Sequence, residues 1–263
     1  MFSGPPGLQG LRAFSLEMLQ DCPPGTGVRV AIVDSGIAPM LLGEEAPRRS
    51  FHVRRQGLLT VVERCAPGDV HYHGTAVASV LREIAPEASL VSVRVVDEQG
   101  RGSSEHLRAA LEFCIRERFD VVNLSLGTRK RELLLDVYDL VDQAAVAGVT
   151  LVAATDNQGA PDYPAACTSL LSVDRLETRN PFALRFRSGH RVAFLARGHD
   201  VEVYSPGGTM IRVSGASFAC PHVTAFASRL RAAWPALHPF EVKTALHAAA
   251  IRSEAGYEAA PPR

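Results

Sequence analysis

The chain has 263 residues, with 28 lysines and arginines balanced by 28 aspartates and glutamates, for a formal net charge of zero at pH 7. Without a basic stripe it offers no electrostatic footprint for nucleic acid, and no apolar run reaches the roughly 18 residues that a membrane helix needs. Its five cysteines, an odd number without paired spacing, read as reduced thiols rather than a disulfide framework.

The first segment, MFSGPPGLQGLRAFSLEMLQD, has neither a charged leader nor a continuous apolar stretch and does not read as a secretory signal. Together with the unpaired cysteines this makes a cytoplasmic location the expectation. VRVAIVDSG is an apolar, β-branched run that predicts a buried strand over 28–33 and delivers Asp34 at its C-terminal edge. Ligands gather at that edge in open α/β sheets. HYHGTAVASVLREIA then places His71 and His73 just ahead of a helix predicted over 75–84. A helix N-terminus disfavours an imidazolium, which predicts that His73 is neutral near pH 7, as a general base must be.

Further strands are predicted over 90–96, 121–125 and 150–154, with shorter ones near 170–173, 191–196 and 201–203. Helices are predicted over 104–118, 131–148, 217–233 and 239–250. This rhythm is that of an α/β fold with a mostly parallel central sheet and helices on both faces. One domain over 1–263 is expected, with its core at about 28–250 and a flexible tail at about 254–263.

GASFACPH, residues 215–222, presents Ser217 at the start of an alanine-rich helix, with Pro221 expected in its first turn. A serine hydroxyl is a weak nucleophile that needs a base for its proton and fixed donors for the oxyanion. Unpaired N–H groups and the helix dipole would supply part of the second. Each piece has a plainer reading. Ser217 can be a helix cap, Asp34 a turn residue, and Asp156 and Asn157 a turn after a strand. His71 and His73, two apart on an extended segment, can face one metal ion, although no cysteine or carboxylate cluster completes a zinc spacing. Cys220 is a rival nucleophile.

Taken together, the three motifs DSG, HGTAVAS and GASFACPH, in the order Asp34, His73, Ser217, resemble those of the subtilisin-like serine proteases, usually DSG or DTG, HGTHVAG and GTSMASPH. The resemblance extends from about Val28 to about Ala250. It implies a three-layer subtilisin-like fold and a serine endopeptidase with those three residues as its catalytic triad. It further implies that Asn157 in LVAATDNQG binds the oxyanion with the Ser217 N–H. Ser125, Leu126 and Gly127 would pair with an extended peptide, and Asp162, just before Tyr163 and Pro164, would line the base of the primary specificity pocket and favour arginine.

The chain departs from the usual pattern at Ala76, Ala216, Phe218 and Cys220, and Asp156 adds a carboxylate expected to point away from the oxyanion. VASVLREIAPEASL lacks the loop in which relatives hold calcium, so no metal and no cofactor is expected. The implied partner is a peptide or protein substrate, with no nucleic acid and no membrane. A processing or leader-peptide maturation protease is the expected role, against a general intracellular degradative protease or a catalytically silent peptide-binding pseudo-protease. A doubly wound nucleotide-binding protein fits poorly, since no GxGxxG or phosphate loop follows the first strand.

Overall fold

The computed structural model describes residues 7–46, 48–97, 99–130, 133–157, 162–188, 193–205 and 209–258. Two short helices, α1 (Leu8–Arg12) and α2 (Leu16–Asp21), precede β1 (Arg29–Asp34), β2 (Gly36–Ile37) and α3 (Pro39–Leu42). A hairpin of β3 (Ser50–Gln56) and β4 (Leu59–Arg64) leads to β5 (Gly68–Asp69), α4 (His73–Ile84), β6 (Ser89–Arg94) and α5 (Ser104–Arg116). Next come β7 (Val121–Leu124), α6 (Leu134–Val146), β8 (Thr150–Ala154), β9 (Leu171–Leu176) and β10 (Leu184–Arg187). The chain closes with β11 (Ala193–Arg197), β12 (Val201–Tyr204), β13 (Met210–Val213), α7 (Ala216–Ala233) and α8 (Pro239–Glu258).

Nine strands form one sheet in the order β10-β11-β9-β8-β7-β1-β6-β3-β4. Every pairing from β11 to β3 is parallel, and only the edge strands β10 and β4 run antiparallel. Alternation along β1 shows why helices must cover both faces. Val30 and Ile32 enter one core with residues of α1, α2, α4, α7 and α8, while Ala31 and Val33 enter the other with residues of α5 and α6. The chain builds from β1 outward on one side and returns through β7 on the other. The C-terminal ends of β1 and β7 thus meet at the reversal point where α/β sheets place their ligands.

Helix α7 runs through one core and is buried from Phe218 to Leu230. Its alanines let it lie close to the sheet and to α4. Arg229, buried on this helix, donates to the carbonyls of Leu19 and Ile84 at 3.0 and 2.9 Å, and to those of Gln20 and Cys22. These carbonyls lie at or just past the ends of α2 and α4, where helices leave acceptors without internal partners. One guanidinium therefore ties the N-terminal segment to both site-bearing helices.

The principal predicted strands and helices form close to their expected bounds. Helix α6 begins later, at Leu134, and α5 stops at Arg116, just before Arg118 turns left-handed at φ 51°. Helix α8 continues to Glu258, into the segment expected to be a tail, whose residues 259–263 lie outside the described residues. Elements without a sequence-based prediction are α1, α2, β2, α3, the β3–β4 hairpin, β5, β10 and β13.

Candidate active site

Strand β1 ends on Asp34, which is 3% exposed at the sheet's centre. Its Oδ1 accepts the Ser35 N–H at 2.7 Å, and its two oxygens lie 2.8 and 3.0 Å from His73 Nδ1. His73 is the first residue of α4, and that helix can approach β2 only because the next residue is glycine. A Cβ on Gly74 would collide with the Gly36 carbonyl.

Asp69 organises this approach, a role that sequence reasoning missed. Its Oδ1 accepts from Ser35 Oγ at 2.7 Å and from the N–H groups of His71 and Tyr72 at 3.0 and 2.7 Å. Its Oδ2 takes the N–H and hydroxyl of Thr75 at 2.7 and 2.6 Å. Ser35 Oγ in turn accepts the Gly74 N–H at 2.9 Å. These bonds hold Tyr72 in the left-handed region, φ 62°, immediately before His73. That turn breaks the extended spacing on which a shared metal face for His71 and His73 depended. The His71 ring packs against Gly100, while His73 meets Asp34.

The expectation of a depressed imidazole pKa is corrected. Burial of the ring opposes the cation, but the adjacent Asp34 carboxylate, its hydrogen bond and the charge of Asp69 together hold the His73 pKa above its ordinary 6.5. Together the two carboxylates outweigh the burial.

Ser217 sits in the first turn of α7, with the ring of its neighbour Phe218 5.3 Å from the His73 ring, centroid to centroid. Pro221 lies one turn further in than expected, where a residue would normally donate to the Ser217 carbonyl. Proline cannot, and the Ser125 hydroxyl takes that acceptor at 3.4 Å, itself held by Asn123 Nδ2 at 2.8 Å. Asn157 Oδ1 accepts the Ala216 N–H at 2.9 Å, which fixes the side chain and leaves its Nδ2 free of protein partners among the described residues. The Ser217 N–H is likewise unpaired there. A Cβ on Gly215 would stand 3.3 Å from Ser217 Oγ and 3.7 Å from Asn157 Nδ2, so the hydroxyl and the amide border the same bare Cα. Ser217 Oγ makes no hydrogen bond to a described residue, His73 included.

Ser125, Leu126 and Gly127 continue from the end of β7, and neither Leu126 nor Gly127 makes a backbone hydrogen bond among the described residues. Asp162 packs against Gly127 so closely that a Cβ there would collide with its carboxyl group. Asp162 Oδ1 is buried without a hydrogen-bond partner among the described residues, and burial together with the Asp156 charge pushes its pKa up to about 6. Asp156 itself is ion-paired with Arg129 at 2.7 Å. Cys220 is buried between the Leu124 and Val152 carbonyls, and burial pushes its thiol up to about 12, which leaves no thiolate for chemistry.

The profile of the Subtilase family matches residues 25–261. The chain belongs to the subtilase family. This subtilase is 31% identical over 230 residues to the minor extracellular protease Epr of Bacillus subtilis (strain 168), with 81% of the subtilase aligned to 33% of Epr. It is 29% identical over 241 residues to subtilisin E of the same strain, with 86% of the subtilase aligned to 61% of that protein. It thus spans about a third of the first relative and under two thirds of the second. Among solved structures, a cold adapted subtilisin-like serine proteinase superimposes with a TM-score of 0.65 at 22% identity, covering 84% of this chain and 81% of that one. The expected subtilisin-like architecture is therefore the observed one.

Proposed function

We propose that this subtilase is a serine endopeptidase acting through Asp34, His73 and Ser217. The observation that supports it most is the buried Asp34 carboxylate 2.8 Å from His73 Nδ1, with the His73 ring against the turn that carries Ser217. His73 Nε2 removes the hydroxyl proton as Ser217 Oγ bonds to the peptide carbonyl carbon, then delivers it to the amine nitrogen as the C–N bond breaks. Water, deprotonated by the same nitrogen, attacks the acyl ester and frees the new carboxyl group and Ser217. Asp34 holds the proton on Nδ1 and stabilises the transient imidazolium.

The Ser217 N–H and Asn157 Nδ2 receive the oxyanion. Asn157→Ala should accordingly lower kcat about 100- to 1000-fold, with KM little changed. A loss under tenfold would remove Asn157 from the oxyanion site. The base must be neutral, and the Asp34 and Asp69 carboxylates favour its cation. The kcat/KM of the free enzyme should therefore fall as pH drops through a value above 6.5; an acid limb at or below that value would contradict the assigned environment.

The substrate is an extended peptide that pairs with the open backbone of Ser125–Gly127. Asp162, with a buried oxygen against Gly127 that has no partner among the described residues, favours arginine ahead of the cleaved bond. Its carboxyl is neutral below about pH 6 and charged above. The ratio of kcat/KM for arginine over glutamine peptides should then decline below that pH, and Asp162→Ala should abolish the preference. A wild-type enzyme with no arginine preference, or a variant that keeps one, would sink this assignment.

Such a restricted site suits a processing protease, for instance one that trims a leader from a precursor peptide. The five unpaired cysteines, four of them buried, suit a reducing cytoplasm. Sequencing the products from a proteome-derived peptide pool tests the role. A small set of cuts sharing arginine is expected; unrelated cuts throughout would indicate general degradation.

A further inference from the structure

A cavity of about 370 Å³ opens near the hairpin edge of the sheet, between β3, the end of β6 and the start of α5. Its charged lining is dominated by Arg54, Arg55 and Arg94, with His52 and His106 beside them and Asp97 the sole carboxylate among the described lining residues. These charges are unequally committed. Arg54 is paired with Glu63 at 2.5 Å, and Asp97 with Arg101 at 3.1 Å.

Arg94 and Arg55 have no carboxylate partner among the described residues. Arg94 donates to His52 Nδ1 at 3.1 Å, and Arg55 gives its Nε–H to the Gly57 carbonyl at 3.1 Å. Because Arg94 can only donate, His52 must accept at Nδ1 and carry its proton on Nε2, which faces Glu63 at 3.0 Å. His106 is anchored through Nδ1 on the Val95 carbonyl at 3.1 Å, leaving Nε2 without a partner among the described residues. A guanidinium presents five N–H donors in a planar fork that matches a carboxylate, so most donors on Arg55 and Arg94 are available to a ligand.

We propose that this cavity receives an acidic side chain of the peptide substrate, with Arg55 and Arg94 as its donors. The inference rests on the peptidase reading above. Val96 connects the two sites, since it lines this cavity and also a cleft of about 400 Å³ along Leu126 and Gly127. Its antiparallel bridge to Gly102 holds it between them. A peptide paired with Ser125–Gly127 reaches the guanidinium groups by sending a flanking side chain past Val96.

Two fluorescein-labelled decapeptides test this on the Ser217→Ala chain, where binding is read by anisotropy without turnover. One carries glutamates flanking a central arginine; the other carries glutamines. The glutamate peptide should bind about tenfold more tightly, the scale of a charge-assisted pair. Arg55→Gln/Arg94→Gln should reduce that ratio to below about twofold and leave glutamine-peptide binding unchanged. Arg55→Gln alone, at an exposed position, should lower the ratio in part and covers the case in which the double variant misfolds. Free glutarate at the peptide's concentration should not displace it. A ratio near one in the parent, a ratio unchanged by the arginine variants, or glutarate binding as tightly as the peptide would each overturn the proposal. A chain without peptidase activity can still show the difference, and a chain that cleaves peptides without it loses only the acidic subsite.

Discussion

Ser217→Ala should lower peptide turnover by roughly 10⁶-fold, the scale measured for loss of the nucleophile or base in subtilisin itself, while the fold stays intact. The two halves of this expectation have separate physical grounds. Ser217 Oγ holds no hydrogen bond to a described residue, so its removal leaves no buried partner unsatisfied. Alanine also suits a helix already rich in it. The thermal midpoint should move by no more than the change expected of a neutral site, about 0.5 kcal/mol. A small residual rate is expected if the backbone N–H at position 217 and Asn157 bind the oxyanion of a water attack as proposed. A peptide-binding chain without catalysis predicts something different: equal, negligible turnover before and after the substitution.

Asp34→Asn should reduce kcat by roughly 10⁴-fold with little change in KM. Asparagine preserves the shape and an oxygen for the Ser35 N–H, which Asp34 Oδ1 accepts at 2.7 Å. What changes is the partner offered to His73 Nδ1. An amide N–H facing that nitrogen favours its lone pair and drives the ring proton to Nε2, the atom that must accept from Ser217. The substitution also removes the charge that holds the His73 pKa up, so the acid limb of the residual activity should move to lower pH. A loss below tenfold would mean that the 2.8 Å contact is structural and does not orient a base.

Those residues were legible because each motif is local. Asp34 closes an apolar strand, His73 meets Gly74 at a helix start, and Ser217 opens a helix of small residues. The apolar runs of β1, β7 and β8 likewise announced a parallel sheet buried on both faces. The hairpin escaped notice although FHVRRQ and LTVVER flank a left-handed Gly57, φ 62°. Its strands lie at a sheet edge, where charged side chains can face water, and their polar alternation lacks the continuous apolar signal of the central strands. The His73 pKa could not be read from helix position alone, because burial, the contact with Asp34 and, to a smaller extent, the charge on Asp69 all bear on the ring, and Asp69 comes from a separate segment. Its signal was the short GDVHYH turn, with a carboxylate close enough to accept successive N–H groups. Arg229 is harder still, since its acceptors on and just past α2 lie 207 to 210 residues away. The Ser125 hydroxyl replacing the N–H that Pro221 lacks is equally non-local, at a separation of 92 residues from Ser217.

The central claim is that Asp34 and His73 make one hydroxyl nucleophilic. Its most direct measurement is mass-spectrometric mapping of the adduct formed when the folded chain meets a fluorophosphonate at neutral pH. The account predicts stoichiometric modification at Ser217 and none after His73→Ala within the same time. An unmodified Ser217, or label on another side chain at comparable rate, would contradict it.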